Sequence, residues 1–139
     1  MLPGLSPVTI SPRAASEEKN LRKEARKNFL AYCQYVDPRY ETPPHVKLLA
    51  AKLQNVALYI ASGGKRGIPR LMIFMPPQHG KSQIASRNFP AWLLGILPDS
   101  HIILTSYGDS LATRHSRFIR DQIIAPEYQA IFGTKSNKM

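Results

Sequence analysis

Leu71-Met72-Ile73-Phe74-Met75-Pro76-Pro77-Gln78-His79-Gly80-Lys81-Ser82 is the stretch on which the reading of the fold turns. Its first five residues form an unbroken apolar run, too short for a helix, as expected of a strand covered on both faces. Its last three match the end of a phosphate-binding loop, and the residues beyond them, Ile84, Ala85, Phe89, Trp92 and Leu93, fit a helix that Pro90 should kink or end. Strand, loop and helix in that order give each residue a task. Gly80 lets the backbone approach a phosphate, Lys81 places a cation on β- and γ-phosphate oxygens, and Ser82 offers a hydroxyl to Mg²⁺. The N–H groups at the helix start complete the cradle. Pro76 and Pro77 have no N–H, so Gln78 and His79 are the first donors available, and the cofactors expected are ATP and Mg²⁺.

Outward from the loop, a second apolar run, Ile102-Ile103-Leu104, reads as another strand, followed by a turn and an amphipathic helix from about Ser110 to Ile124. Upstream, Leu21, Ala25, Phe29, Tyr32 and Val36 recur at steps of four, four, three and four, the pattern of one helix face, with Ser16 as its expected N-cap and Asp37-Pro38 as its end. Its other face carries Arg22, Lys23, Arg26 and Lys27, the residues expected to meet DNA phosphates if any do. A second helix after Pro44 places Val46, Leu49, Ala50, Leu53, Val56, Ala57 and Ile60 on one stripe, and Ser62-Gly63-Gly64 stops it. Residues 1 to 15, rich in Pro and Ser without periodicity, read as a disordered arm. The fold class expected is therefore α/β: a parallel-sheet, P-loop type of domain preceded by two helices, all within residues 16–139.

Composition narrows the partners. The 139 residues carry 19 Lys and Arg against 9 Asp and Glu, a net charge of +10, so polyanions are the natural ligands. Residues 42 to 98 contain no carboxylate, which suits holding an anion and not acid–base work by paired acids. Asp109 reads as a helix-start residue, Trp92 as core, and Arg114, Arg117 and Arg120 as surface. Cys33 alone cannot form an internal disulfide, and four scattered histidines lack metal-ligand spacing. His101 and His115 read as structural. No apolar run reaches the roughly 18 residues of a membrane span, and prolines interrupt the start of the chain where a secretory signal would be apolar. The expectation is a protein that is neither secreted nor membrane-bound.

In combination, Met75-Pro-Pro-Gln-His-Gly-Lys-Ser82, Asn88-Phe-Pro-Ala-Trp-Leu-Leu-Gly95 and His101-Ile-Ile-Leu-Thr-Ser-Tyr107 resemble the large terminase subunit of tailed bacteriophages. The resemblance runs from about residue 28 to 133. It includes Thr42-Pro-Pro-His45 upstream, and Leu111-Ala, Arg117-Phe-Ile-Arg120 and Tyr128 to Gly133 downstream. It implies the N-terminal part of a packaging ATPase that drives double-stranded viral DNA into capsids, with a small terminase subunit and the portal of the procapsid as partners, in the cytoplasm of a bacterial host. It also implies that Thr42, Pro44 and His45 lie near adenine. Gln78 stands where the family commonly has a basic residue, and Met75 where the standard loop has its first glycine. The family's Walker B acids and nuclease domain would follow beyond Met139, so ATP binding is expected here without efficient hydrolysis. Two other classes fit the residues: a non-enzymatic basic nucleic-acid-binding protein, and a P-loop kinase of another family.

Overall fold

Ser11 starts the first helix. Its Oγ accepts from the Ala14 N–H at 3.2 Å, and Pro12 sits in the first turn, where a missing N–H costs nothing, so α1 spans Pro12–Lys27. The computed structural model describes residues 11–133. The expected arm over residues 1 to 15 therefore lies outside the described residues up to position 10, and residues 12 to 15 are already the first turn of α1. Ser16 is inside the helix, not its cap.

The stretch from Leu21 to Val36 is two helices because Asn28 intervenes. Its N–H closes α1 on the Glu24 carbonyl at 2.8 Å, while its Oδ1 accepts from the Ala31 N–H at 3.0 Å and opens α2, Phe29–Val36. Asparagine offers the backbone this local alternative to an unbroken ladder, which spacing of apolar residues does not reveal. Gln54 of α3, Pro44–Ala61, clamps the junction: its Oε1 accepts from Phe29 N–H at 3.1 Å and its Nε2–H donates to the Lys27 carbonyl at 3.2 Å. The expected stripe of α3 is largely the observed one, with Val46, Leu49, Ala50, Leu53 and Ala57 buried. Ile60, at its end, is exposed.

Beyond the loop, Lys81 leads into a π-helical segment, Ser82–Asn88, which runs directly into α4, Phe89–Ile96. Two further helices complete the described residues, α5 at Asp109–Ile124 and α6 at Pro126–Phe132. Asp109 stands in the first turn of α5, where its charge suits the positive end of the helix. The core forms where α1, α2 and α4 meet. Phe29, fully buried, touches Trp92 and Phe89 at ring-centroid distances of 5.3 and 5.5 Å, and Trp92 donates its indole N–H to the Ala25 carbonyl at 3.0 Å. Cys33 lies beneath them with its thiol pushed up to about 12 by burial, an inert packing residue.

The α/β expectation fails: among the described residues there is no strand and no sheet. Residues 71–75 and 102–104 do show the period of two that an extended chain imposes. Leu71, Ile73, Met75, Ile102 and Leu104 pack against the core, while Met72, Phe74 and Ile103 are 79%, 86% and 87% exposed. Among the described residues no backbone hydrogen bond joins either run to another segment. Apolar content sets the tendency to extend, but a strand exists only through its ladder, and here the inward residues are satisfied by helices instead.

Tyr32 and Tyr128 separate two kinds of buried hydroxyl. The Tyr128 hydroxyl donates to the Ala91 carbonyl at 2.9 Å, whereas the buried Tyr32 hydroxyl has no hydrogen-bond partner among the described residues. Tyr128→Phe is expected to cost about 1 kcal/mol in urea unfolding, and Tyr32→Phe to be neutral or stabilising. A larger loss from Tyr32→Phe would show that its hydroxyl is satisfied in solution.

Candidate functional site

The loop between residues 75 and 82 is built from restricted residues. Pro76 and Pro77 remove two donors, then Gln78 takes φ +64° and Gly80 φ +80°, both in the left-handed region. For Gly80 this is the ordinary conformational freedom of glycine; for Gln78 it carries a cost of roughly 1 kcal/mol. A Cβ on Gly80 would meet nothing within 4 Å, so the glycine serves the backbone turn and leaves that side open. The helix ladder begins with Ile84 N–H donating to the Gly80 carbonyl at 3.0 Å, and the N–H groups of Lys81, Ser82 and Gln83 stand ahead of it. Fully buried Ile84 and nearly buried Trp92 anchor this helical run, while Lys81 and Ser82 remain exposed at its head.

A cavity of about 420 Å³ opens beside the loop, with Asp37, Tyr40, Glu41 and His45 on one side and Gln78, His79 and Gly80 on the other. His79 lies 2.8 Å through Nδ1 from the Pro77 carbonyl, which fixes that nitrogen as the donor. The rings of His45 and His79 meet edge to face, 5.9 Å apart. Of the upstream residues expected near a nucleotide base, His45 thus reaches the loop. Thr42 and Pro44 do not line the cavity, although Pro43 does. Gln78, His79 and Gly80 line it as well, and Lys81 and Ser82 follow directly at its edge.

Sequence reasoning missed Asp37, Tyr40, Glu41 and Gln83. The carboxylate-free segment begins one residue after Glu41, so a count over 42–98 leaves out the two acids that the turn brings back to the loop. The signal was the Pro38 to Pro44 stretch, a reversal between two helices. In it the Tyr40 N–H donates to the Asp37 carbonyl at 2.9 Å and the Arg39 N–H to Asp37 Oδ1 at 3.1 Å. Burial pushes the Tyr40 hydroxyl well above its ordinary pKa, so it is a neutral donor at the cavity wall. Among the described residues no three His, Cys, Asp or Glu side chains are grouped to hold a metal ion.

The basic face of α1 is partly spoken for. Arg22 donates to Glu18 at 2.8 Å and to the Tyr35 hydroxyl at 3.2 Å; Tyr35 in turn donates to Glu18, and these contacts, the tyrosine's first, hold the Glu18 carboxyl below its usual range. Arg26 donates to the Ile131 carbonyl at 2.7 Å and lies 5.9 Å over the Phe132 ring, tying α1 to α6. Lys23 and Lys27 are exposed, and with Lys19 they form a row at intervals of four, about 6 Å of rise apart. Of the two histidines expected to be structural, His115 is buried and His101 is exposed. Among the described residues no helix is long and apolar enough to cross a membrane.

Gln78→Gly is expected to leave stability unchanged or raise it by up to about 1 kcal/mol, and Gln78→Val to lower it by about 1–2 kcal/mol, because a β-branched residue fits the left-handed region worst. Urea midpoints decide this, and equal effects of the two changes would contradict the loop conformation. In comparisons with known proteins, no protein-family model, no curated protein and no solved structure matches the chain.

Proposed function

We propose that residues 78–82 bind the phosphates of ATP accompanied by Mg²⁺, and that the chain is the nucleotide-binding part of a DNA-packaging ATPase of the phage terminase type. The observation that carries this is the Gly80-Lys81-Ser82 turn at the head of a buried-anchored helix, open on the Gly80 side and adjoining a cavity of nucleotide scale. Lys81 supplies the cation and the leading amides the anion cradle, while the Ser82 hydroxyl is the protein group for Mg²⁺. His45, Tyr40 and His79 give the cavity aromatic edges suited to a base. The sequence resemblance in residues 28 to 133 supports the wider reading, in which double-stranded viral DNA, a small terminase subunit and the procapsid portal are partners in a bacterial host.

Turnover is the weaker activity in this reading. Asp37 and Glu41 are the acids lining the cavity, and Asp37 is engaged with the Arg39 N–H. Hydrolysis needs acids that hold Mg²⁺ and orient water, so binding and hydrolysis should separate. DNA contact, if it uses α1, falls first to Lys19, Lys23 and Lys27, since the exposed Arg22 and Arg26 already donate to Glu18, Tyr35 and the Ile131 carbonyl. A non-enzymatic nucleic-acid-binding protein would share that row but show no nucleotide binding.

Titration with a fluorescent ATP analogue in Mg²⁺ tests the site. Lys81→Ala is expected to weaken binding about tenfold or more, the worth of a charge-assisted contact, and Lys52→Ala, an equal charge change at an exposed position of α3, by little. Equal losses would overturn the loop assignment. DNA binding should fall steeply with salt, and a Lys19, Lys23 and Lys27 triple alanine variant should flatten that dependence. Salt-insensitive binding would rule out a phosphate-based contact.

A further inference from the structure

The helix behind the loop is held in an unusual form. Residues Ser82–Asn88 are π-helical, and the segment closes with the Phe89 N–H donating to the Ile84 carbonyl five residues back. Such wide turns persist only where the surroundings hold them. Pro90 contributes, having no N–H to give the Ser86 carbonyl. The other hold comes from α5. Arg87 donates its Nε–H to His115 Nδ1 at 3.2 Å, and its guanidinium lies 4.8 Å over the ring of Phe118 on the next turn. Nδ1 accepts only while it carries no proton, and arginine does not give up its own. The contact therefore exists only with His115 neutral, in a position 8% exposed.

We propose that Arg87 and His115 form a pH-sensitive brace that positions the helix head carrying Lys81 and Ser82, and that acid releases this brace by protonating His115. Arg87 and His115 are positioning residues: neither lines the cavity. The link to ligand affinity rests on the nucleotide reading above, while the brace itself does not.

The charges around His115 favour its neutral form. Arg87 is the ionisable residue of the π-helical segment, and α4 contributes none in Phe89–Ile96. On α6 stand Glu127 and Tyr128, on the 101–107 run the exposed His101 and Tyr107, and on α5 itself Arg114, Arg117, Asp109 and the paired Arg120 and Asp121. Burial first, then Arg87 and Arg114, hold the imidazole below its ordinary pKa. The sign follows. Below about pH 6.5 the unfolded chain takes up a proton that the folded protein resists, so this contribution to stability is complete above that pH and is lost as pH falls from there through the folded value.

Amide hydrogen exchange of residues 84–93 in the full chain, at pH 7.5 and pH 5, tests the brace. The wild type is compared with His115→Gln, whose side-chain oxygen accepts from Arg87 at both pH values, so that intrinsic exchange rates cancel at each pH. Protection in the wild type relative to His115→Gln is expected to fall about tenfold on acidification, the equivalent of one lost hydrogen bond. Arg87→Gln, which removes the opposing cation, is expected to show a smaller pH response than the wild type and serves if His115→Gln folds poorly. A fluorescent ATP analogue, titrated at the same two pH values, should lose affinity in parallel. Identical pH responses in wild type and variants overturn the brace. A lost exchange ratio with no nucleotide binding at either pH leaves the brace standing and overturns the nucleotide reading instead.

Discussion

The direction of the helix behind the loop is set first by the packing of Phe29 against Trp92. Phe29 opens α2 at the Asn28 break, and its ring fills the space between Trp92, Phe89 and Tyr32. Trp92 belongs to the helix that begins at Lys81, so this contact fixes the direction of the helix whose head is the candidate anion site. The indole N–H on the Ala25 carbonyl sets its rotation as well as its distance. Aromatic contacts of this kind contribute about 0.5–1.5 kcal/mol each beyond the area they bury, and several converge on one residue here. Loosening them would move Lys81 and Ser82 without touching the loop.

That dependence explains why the break at Asn28 matters. In a single helix from Ser16 to Val36 the Ala25 carbonyl would accept from the Phe29 N–H; at the break that N–H goes to Gln54 and the carbonyl takes the Trp92 indole instead. Asn28 ends one ladder and starts the next, and Gln54 bridges the two ends from α3. The apolar spacing was legible because burial drives it. The break was not, because it rests on one side-chain amide competing with a backbone bond and on a partner 26 residues away in α3, neither of which leaves a period in the sequence.

The helices after Pro44 and near Ser110, the core role of Trp92 and the turn at Gly80 were similarly legible, each from a local rule. The sheet was misread for the opposite reason. Leu71 to Met75 and Ile102 to Leu104 satisfy every local requirement of a strand, but a ladder is a property of two segments, and no rule of composition places the second one. The structure keeps the alternation and lacks the pairing, leaving Met72, Phe74 and Ile103 outward. The cavity was half legible: His79 and Gly80 follow from the loop, whereas Asp37 and Glu41 arrive through the turn between α2 and α3.

An anion site at a helix head does not require a sheet beneath it. The attraction comes from leading amides that have no partner of their own, from a lysine beside them and from a backbone that glycine lets approach, all within a few residues of one helix. What such a site does require is that the helix not swing, since amides aimed at a phosphate lose their advantage when misdirected by an ångström. In this chain that rigidity has two sources of different character. Ile84 and Trp92 hold the helix through apolar contacts that are indifferent to pH, whereas Arg87 holds the π-helical segment through a hydrogen bond that a proton abolishes. The first source decides where the helix lies, and the second makes the setting of its head responsive to acid.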